Sequence, residues 1–358
     1  MTRTAALLWM VVGLWLAVIE PLAAQEPVFI QQLGPAEDEP ISTDAVPIPI
    51  PVHPTPVQGQ SVSASNASSF KEEARSYSLT IGVREWITQG RSAHNIGGRT
   101  NIASELTWRG LNIPITQVQA DLVVLNRLVA DLQVGYGSRG HGTLLDQDWR
   151  DNNRTNKFSE TLSDVTGANV LTISLTGGVR VWSWRVRDNP LPGGIDLLAG
   201  YQYWREQYEA SGVQNLLTGT SSFNGVPAIT QTNTWNSIRI GTRAVVPIYS
   251  RVVLKGSAFY IPFTAYTNED IHHLRTDLRQ DPSFLSEANG GNGVQLEGSV
   301  LLRVWHRLTV EAGYAYWDIR SGTGTIQSFN ANGSSGFGIH NEEHTRRQGV
   351  FFGANWTF

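Results

Sequence analysis

Leu128 to Gly137 reads LVADLQVGYG. Leu128, Ala130, Leu132, Val134 and Tyr136 alternate with Asp131, Gln133, Gly135 and Gly137. Successive side chains of a strand point to opposite faces, so one face of this segment is apolar and the other polar or bare. The same period returns in SYSLTIGVR (Ser76 to Arg84), where Tyr77, Leu79, Ile81 and Val83 share a face. It returns again in VQLEGSVLLRV (Val294 to Val304), where Gln295, Glu297, Ser299 and Arg303 oppose Val294, Leu296, Val300, Leu302 and Val304. A soluble sandwich would hide the apolar face in a core, whereas a membrane barrel turns it to lipid and fills its lumen with the polar one.

Three features favour the barrel. Many of these segments run ten residues or more, and aromatics gather near their ends, as in YAYW (Tyr314 to Trp317). The chain finishes VFFGANWTF (Val350 to Phe358), with Phe352, Ala354, Trp356 and Phe358 alternating to a terminal aromatic. That ending resembles the signal that bacterial outer-membrane barrels present to their assembly machinery. Strands are expected near 76–88, 100–124, 127–142, 167–186, 194–209, 232–247, 251–265, 291–304, 307–320 and 345–358. The connections alternate between short (LNR, DNPLPGG, VPIYSR, VWHRL) and long, the long ones near 89–99, 143–166, 210–231, 266–290 and 321–344. Short turns belong to the periplasmic side and longer loops to the outside. The expectation is an all-β protein: a ten-stranded antiparallel transmembrane β-barrel over 73–358 with long extracellular loops and both termini in the periplasm.

The chain has 358 residues, no cysteine, a formal net charge of −4, 35 glycines and 12 tryptophans. Without cysteine there is no disulfide framework, no zinc–thiolate site and no lipidated cysteine anchor. The acidic balance argues against nucleic acid as a partner. Arg3, the apolar run from Ala5 to Ile19 and PLAAQ ending at Gln25 read as an export signal over 1–24. Residues 25–72, with PIPIPVHPTP (Pro47 to Pro56), read as a Pro-rich periplasmic tether in extended polyproline II, disordered and with nothing to pack.

Chemistry concentrates in two places on the external side. GSRGHGTLLDQDWRD (Gly137 to Asp151) places Asp146 and Asp148 two residues apart, and NEDIHH (Asn268 to His273) does the same with Asp270 and His272. If strands continue through these segments, each pair shares a face. A carboxylate beside an imidazole raises its pKa and fixes its tautomer, leaving the other ring nitrogen to take a proton from water. Each pair alone is more often a solvated or cation-bridged acidic loop; together, at one mouth, they suggest a water-activating site.

These segments resemble the omptins, bacterial outer-membrane proteases, in which GSRG is followed by DQDW and an acid. SELTWRGLN (Ser104 to Asn112) is similar to an omptin strand, AGYQYWR (Ala199 to Arg205) to the family signature, and Asp270-x-His272 to its Asp-x-His. The likeness covers most of Ser76 to Phe358 and leaves out the tether. It implies a monomeric ten-stranded barrel in the bacterial outer membrane, with a peptide-hydrolysing groove facing the exterior and polypeptide substrates. Carried over, His272 is the general base, Asp270 its orienting partner, Asp146 a holder of the nucleophilic water and Asp148 its support. No metal or organic cofactor is implied, and lipopolysaccharide is the candidate activator. Tyr201 and Arg205 match two of the family's three lipopolysaccharide contacts, while Tyr203 stands at the glutamate position. Arg205 reads equally as a lipid-phosphate clamp and as an arginine snorkelling at the membrane interface. The acids with which family members bind arginine side chains are replaced: Thr88 or His94 aligns in the first loop, and Asn268, beside Glu269, in the fourth. FSETLSD (Phe158 to Asp164) only faintly echoes a further omptin motif. The rival functions are a non-enzymatic barrel, either an adhesin or a silent relative, and a small porin.

Overall fold

A computed structural model describes residues 77–98, 101–151, 154–186 and 192–358. The signal segment and the tether lie outside the described residues. The chain forms one antiparallel sheet of thirteen strands: β1 (Tyr77–Gly98), β2 (Asn101–Val124), β3 (Leu128–Ser138), β4 (His141–Asp151), β5 (Thr155–Trp184), β6 (Gly193–Asn215), β7 (Ser221–Tyr249), β8 (Val252–His272), β9 (Phe284–Asn289), β10 (Gly291–Arg303), β11 (Leu308–Ser321), β12 (Gly324–Phe329) and β13 (Ser335–Thr357). β1 pairs with both β2 and β13, so the sheet closes on itself. β3 and β4 lie between the same two neighbours, β2 and β5, and form one interrupted stave. β9 with β10, and β11 with β12, do the same, which leaves ten staves around the ring.

The lower part of the barrel follows the alternation in the sequence. Val83, Ile87, Val118, Leu132, Val134, Leu175, Ile240 and Val350 point outward and are exposed, as a lipid-facing band requires. The inward set neutralises itself. Arg84 donates to both oxygens of Glu297 at 2.8 Å, Arg180 pairs with Asp196 at 2.8 Å, and Arg243 bridges Asp121 at 2.8 Å and Asp196 at 3.0 Å. A cavity of about 50 Å³ remains among Asp121, Asp131, Arg239, Arg243 and Lys255, room for a few waters. Above it lies an aromatic layer. Trp204 stacks on Trp317 at 4.2 Å between centroids, with Trp86 and Trp235 edge-on to the pair. Arg347, fully buried, donates to Glu206 at 2.8 Å and to the Tyr208 hydroxyl at 3.0 Å.

The expected long external loops are mostly strand. β1 continues through 89–98, β4 and β5 fill most of 143–166, β6 and β7 most of 210–231, and β8 and β9 a good part of 266–290. The sequence pattern hid this because the inside–outside phase changes near the membrane rim. In β2, Gln117, Ile115, Ile113 and Leu111 face in; past Gly110, at φ 59°, Trp108 and Leu106 do so instead. Glycine takes this left-handed conformation without a Cβ clash. Between β3 and β4, Arg139 (φ 62°) interrupts pairing, and the inward set passes from odd positions to Leu144 and the even positions beyond. In β8, Ile261 and Pro262 together oppose Arg239, a bulge at a residue with no N–H to donate. Below it Phe259 and Ile261 face in; above it Thr264, Tyr266, Asn268 and Asp270 do.

Candidate active site

These phase changes put the four expected residues on the inner wall. Leu144 packs in the aromatic core, and Asp146 and Asp148 follow at two-residue steps up β4, both half-buried. Tyr266 and Asn268 are buried inward on β8, and Asp270 and His272 continue that face to its end. β4 belongs to the third stave and β8 to the seventh, so the two pairs confront each other across the mouth, above the lipid-facing band. Asp151, three residues beyond Asp148, is exposed at the tip.

His272 Nε2 lies 3.3 Å from Asp270 Oδ2. Asp270 is only 3 % exposed, and its Oδ1 has no partner among the described residues. With Nε2–H donated to the carboxylate, the Nδ1 lone pair stays available to a proton. Burial by itself would lower the His272 pKa; the charge and hydrogen bond of Asp270, and then the charge of Asp146, outweigh it and raise it. Asp146 is pushed up to about 7, first by removal from water and then by the negative charge of Asp148, with His272 pulling the other way. The two walls therefore feel each other's charge. Among the described residues no group of three or more His, Asp or Glu is arranged to hold a metal ion.

The sequence did not point to the second layer of this site. Ser283 receives the His272 backbone N–H at 3.0 Å, donates its hydroxyl to the Arg279 carbonyl at 2.6 Å, and its own N–H bonds the Asp270 carbonyl at 2.7 Å. The Phe284 ring meets the His272 imidazole edge-on at 5.1 Å. Deeper in, His94 Nδ1 lies 3.0 Å from Glu343 Oε2, and the Tyr266 hydroxyl donates to Asn233 at 2.7 Å. The His340 ring lies 4.9 Å from that of His94, tilted by 35°, and is held down to about 3 by burial and by that neighbour, so it stays neutral. Thr88 and His94, the two alternatives for the first-loop position, and Asn268 are all buried inward, while Glu269 points out. An acid does stand in this layer, Glu343 from β13, but His94, Ser92 and Thr345 occupy it. Asn341, opposite a register shift in β1, breaks the alternation that would have linked His340 to Glu343 in the sequence.

Tyr201 and Arg205 both point out of the β6 wall, with Tyr203 between them. The Tyr201 hydroxyl donates to Asn236 of β7 at 2.5 Å.

Residues 79–300, more than half of the chain, match the model of the Protochlamydia outer membrane protein family, Pom. The chain belongs to that family. This Pom-family barrel also resembles solved outer-membrane proteins. Against the outer membrane protease OmpT from Escherichia coli the TM-score is 0.64 at 16 % identity, covering 78 % of this chain and 97 % of that one. A FadL homologue of Pseudomonas aeruginosa aligns over 79 % of this chain and 90 % of that one at 11 % identity, with a TM-score of only 0.24. No curated protein matches the chain in sequence. The likeness to OmpT establishes the barrel fold; family and fold together establish an outer-membrane protein.

Proposed function

We propose that this Pom-family barrel is an endopeptidase of the outer membrane, its cleft facing the exterior and its substrates extracellular polypeptides. The observation that carries the reading is the His272–Asp270 pair at 3.3 Å, facing a carboxylate pair whose Asp146 is raised to about 7. Perturbed titratable groups converging on a cleft are a physical marker of a reactive site. In this mechanism a water between the walls attacks the scissile carbonyl and passes its proton to His272 Nδ1. Asp270 holds the ring and stabilises the imidazolium. Asp146 holds the water and, when protonated, hydrogen-bonds the carbonyl oxygen; Asp148 sustains its raised pKa. The imidazolium then returns the proton to the leaving nitrogen, the C–N bond breaks, and a carboxylate and an amine depart.

Specificity should differ from that of arginine-directed relatives, because Thr88 or His94 in the first loop and Asn268 in the fourth replace their acids and Glu343 is already engaged. Tyr201 and Arg205 would meet lipopolysaccharide on the β6 wall. A porin is disfavoured by the ion-paired lumen and the tryptophan layer above it. The test is hydrolysis of a peptide library by refolded protein with and without lipopolysaccharide. Cleavage that His272→Ala abolishes supports the protease; an inert wild type leaves a non-enzymatic barrel.

A further inference from the structure

Above the lipid-facing band the outer wall is unevenly charged. Arg91 and Arg346 are direct partners across the β1–β13 pair. Both point outward, since their neighbours Ser92 and Arg347 are fully buried inside. The β1–β2 register skips a position between Gly90 and Ser92, so exposed Arg109 of β2 stands beside Arg91. Arg320, also exposed, continues the row on β11 opposite His344. Two acids share this face. Asp318 accepts from Arg346 at 2.8 Å and lies 3.1 Å from His344, and Glu342 of β13 lies in the field of Arg320, while Arg91 and Arg109 have no ion-pair partner among the described residues. The opposite wall has the other sign, with Glu209 of β6 and Glu269 of β8 turned outward.

Like charges directly opposed on neighbouring strands destabilise a sheet, and guanidinium cannot relieve the repulsion by losing its proton. Such a row calls for a shared anion. Its position says which kind. Arg91 lies four residues beyond Ile87, an outward apolar side chain of β1 that is exposed, and Arg346 four beyond Val350. Along a tilted strand that is about 10 Å above the apolar edge, within reach of headgroups for a side chain of arginine's length. Guanidinium forks match phosphate oxygens two at a time.

We propose that Arg91, Arg109, Arg346 and Arg320 form a binding site for phosphate groups of outer-leaflet lipid headgroups. The site lies on the β11–β13–β1–β2 wall and is separate from Tyr201 and Arg205 on β6. It rests on this end of the barrel facing outward and is independent of any hydrolytic activity. The test is native mass spectrometry of the full chain, refolded in non-ionic detergent and titrated with bisphosphorylated lipid A, dephosphorylated lipid A or inorganic phosphate. The expected result is saturable binding of bisphosphorylated lipid A, weakened about tenfold or more both by removing its phosphates and by the double change Arg91→Gln, Arg109→Gln. Millimolar inorganic phosphate should not displace the lipid. Should the double variant fail to refold, Arg320→Gln, an exposed single change, reads the same loss. Equal binding by wild type and variants overturns the site, as does a loss confined to Arg205→Gln. Displacement by inorganic phosphate overturns the lipid as its occupant.

Discussion

Replacing Asp270 by asparagine separates the two effects that set the His272 pKa. The carboxylate oxygen lies 3.3 Å from Nε2 and, with its hydrogen bond, more than offsets the burial that would lower the imidazole. An opposite charge at this range typically moves a pKa by about one to three units, or about 1.4 to 4 kcal/mol, and the partly open mouth screens it toward the lower figure. Wild-type activity should therefore rise with pH through a midpoint above the ordinary histidine value of 6.5, because the neutral imidazole is the working form. In Asp270→Asn the lowering effects of burial and of Arg275 are opposed only by the weaker pull of Asp146. The midpoint should fall, and maximal turnover should fall by about a hundredfold as the ring loses its orientation. The first readout needs no activity: the imidazole signals of the eight histidines can be titrated by NMR in detergent, with His272 assigned by difference against His272→Gln. An unchanged His272 midpoint in Asp270→Asn would refute the pairing as the cause of the shift. A histidine pKa raised on folding adds stability fully present below the unfolded value and lost as pH rises through the folded one.

Further outcomes follow from the same geometry. His272→Ala should fold normally, as judged by heat-modifiable migration on gels, and lose about a hundred- to ten-thousand-fold in turnover, whereas Asp151→Asn at the exposed tip should change little. Asp146, raised from 3.8 to about 7, destabilises the fold when it ionises, so Asp146→Asn should raise the unfolding free energy above pH 7 by up to about 4 kcal/mol, less for its partial exposure, while reducing activity. Unchanged stability there would count against the shift. Arg347→Met leaves Glu206 buried without its partner and should cost about 3–5 kcal/mol in urea unfolding; a loss under 1 kcal/mol would mean that water relieves the carboxylate. Planar-bilayer recording should show no steady conductance, and an open channel would mean that the ion-paired lumen rearranges.

The number of staves was legible because the lipid-facing band enforces strict alternation wherever Val, Leu and Ile must face hydrocarbon, as in Leu128 to Tyr136. The height of the barrel was not. Above the rim no hydrocarbon demands apolar side chains, and Thr230 and Gln231, read from the sequence as the end of a long loop, are paired strand of β7. Asp146, Asp148, Asp270 and His272 could be picked out by their spacing, which survives any phase change that lies outside the pair. Ser283 and Glu343 could not. Ser283 acts through backbone groups that carry no side-chain signature, and Glu343 reaches the cleft only because β13 closes the ring beside β1.

The bulge at Ile261–Pro262 divides β8 into two lengths of chain whose reading frames are independent. Deleting one of those two residues leaves a single residue opposite Arg239, so Tyr260 stays opposite Ile240, Phe263 stays opposite Ile238, and Asp270 and His272 keep their inward face. Deleting Ala265 instead turns the strand above it by half a turn, carrying Asp270 and His272 to the outside of the wall and Glu269 and Ile271 into the cleft. One codon at the bulge is thus dispensable to the mouth, whereas one codon a few residues further on abolishes its chemistry while sparing the lipid-facing side chains below.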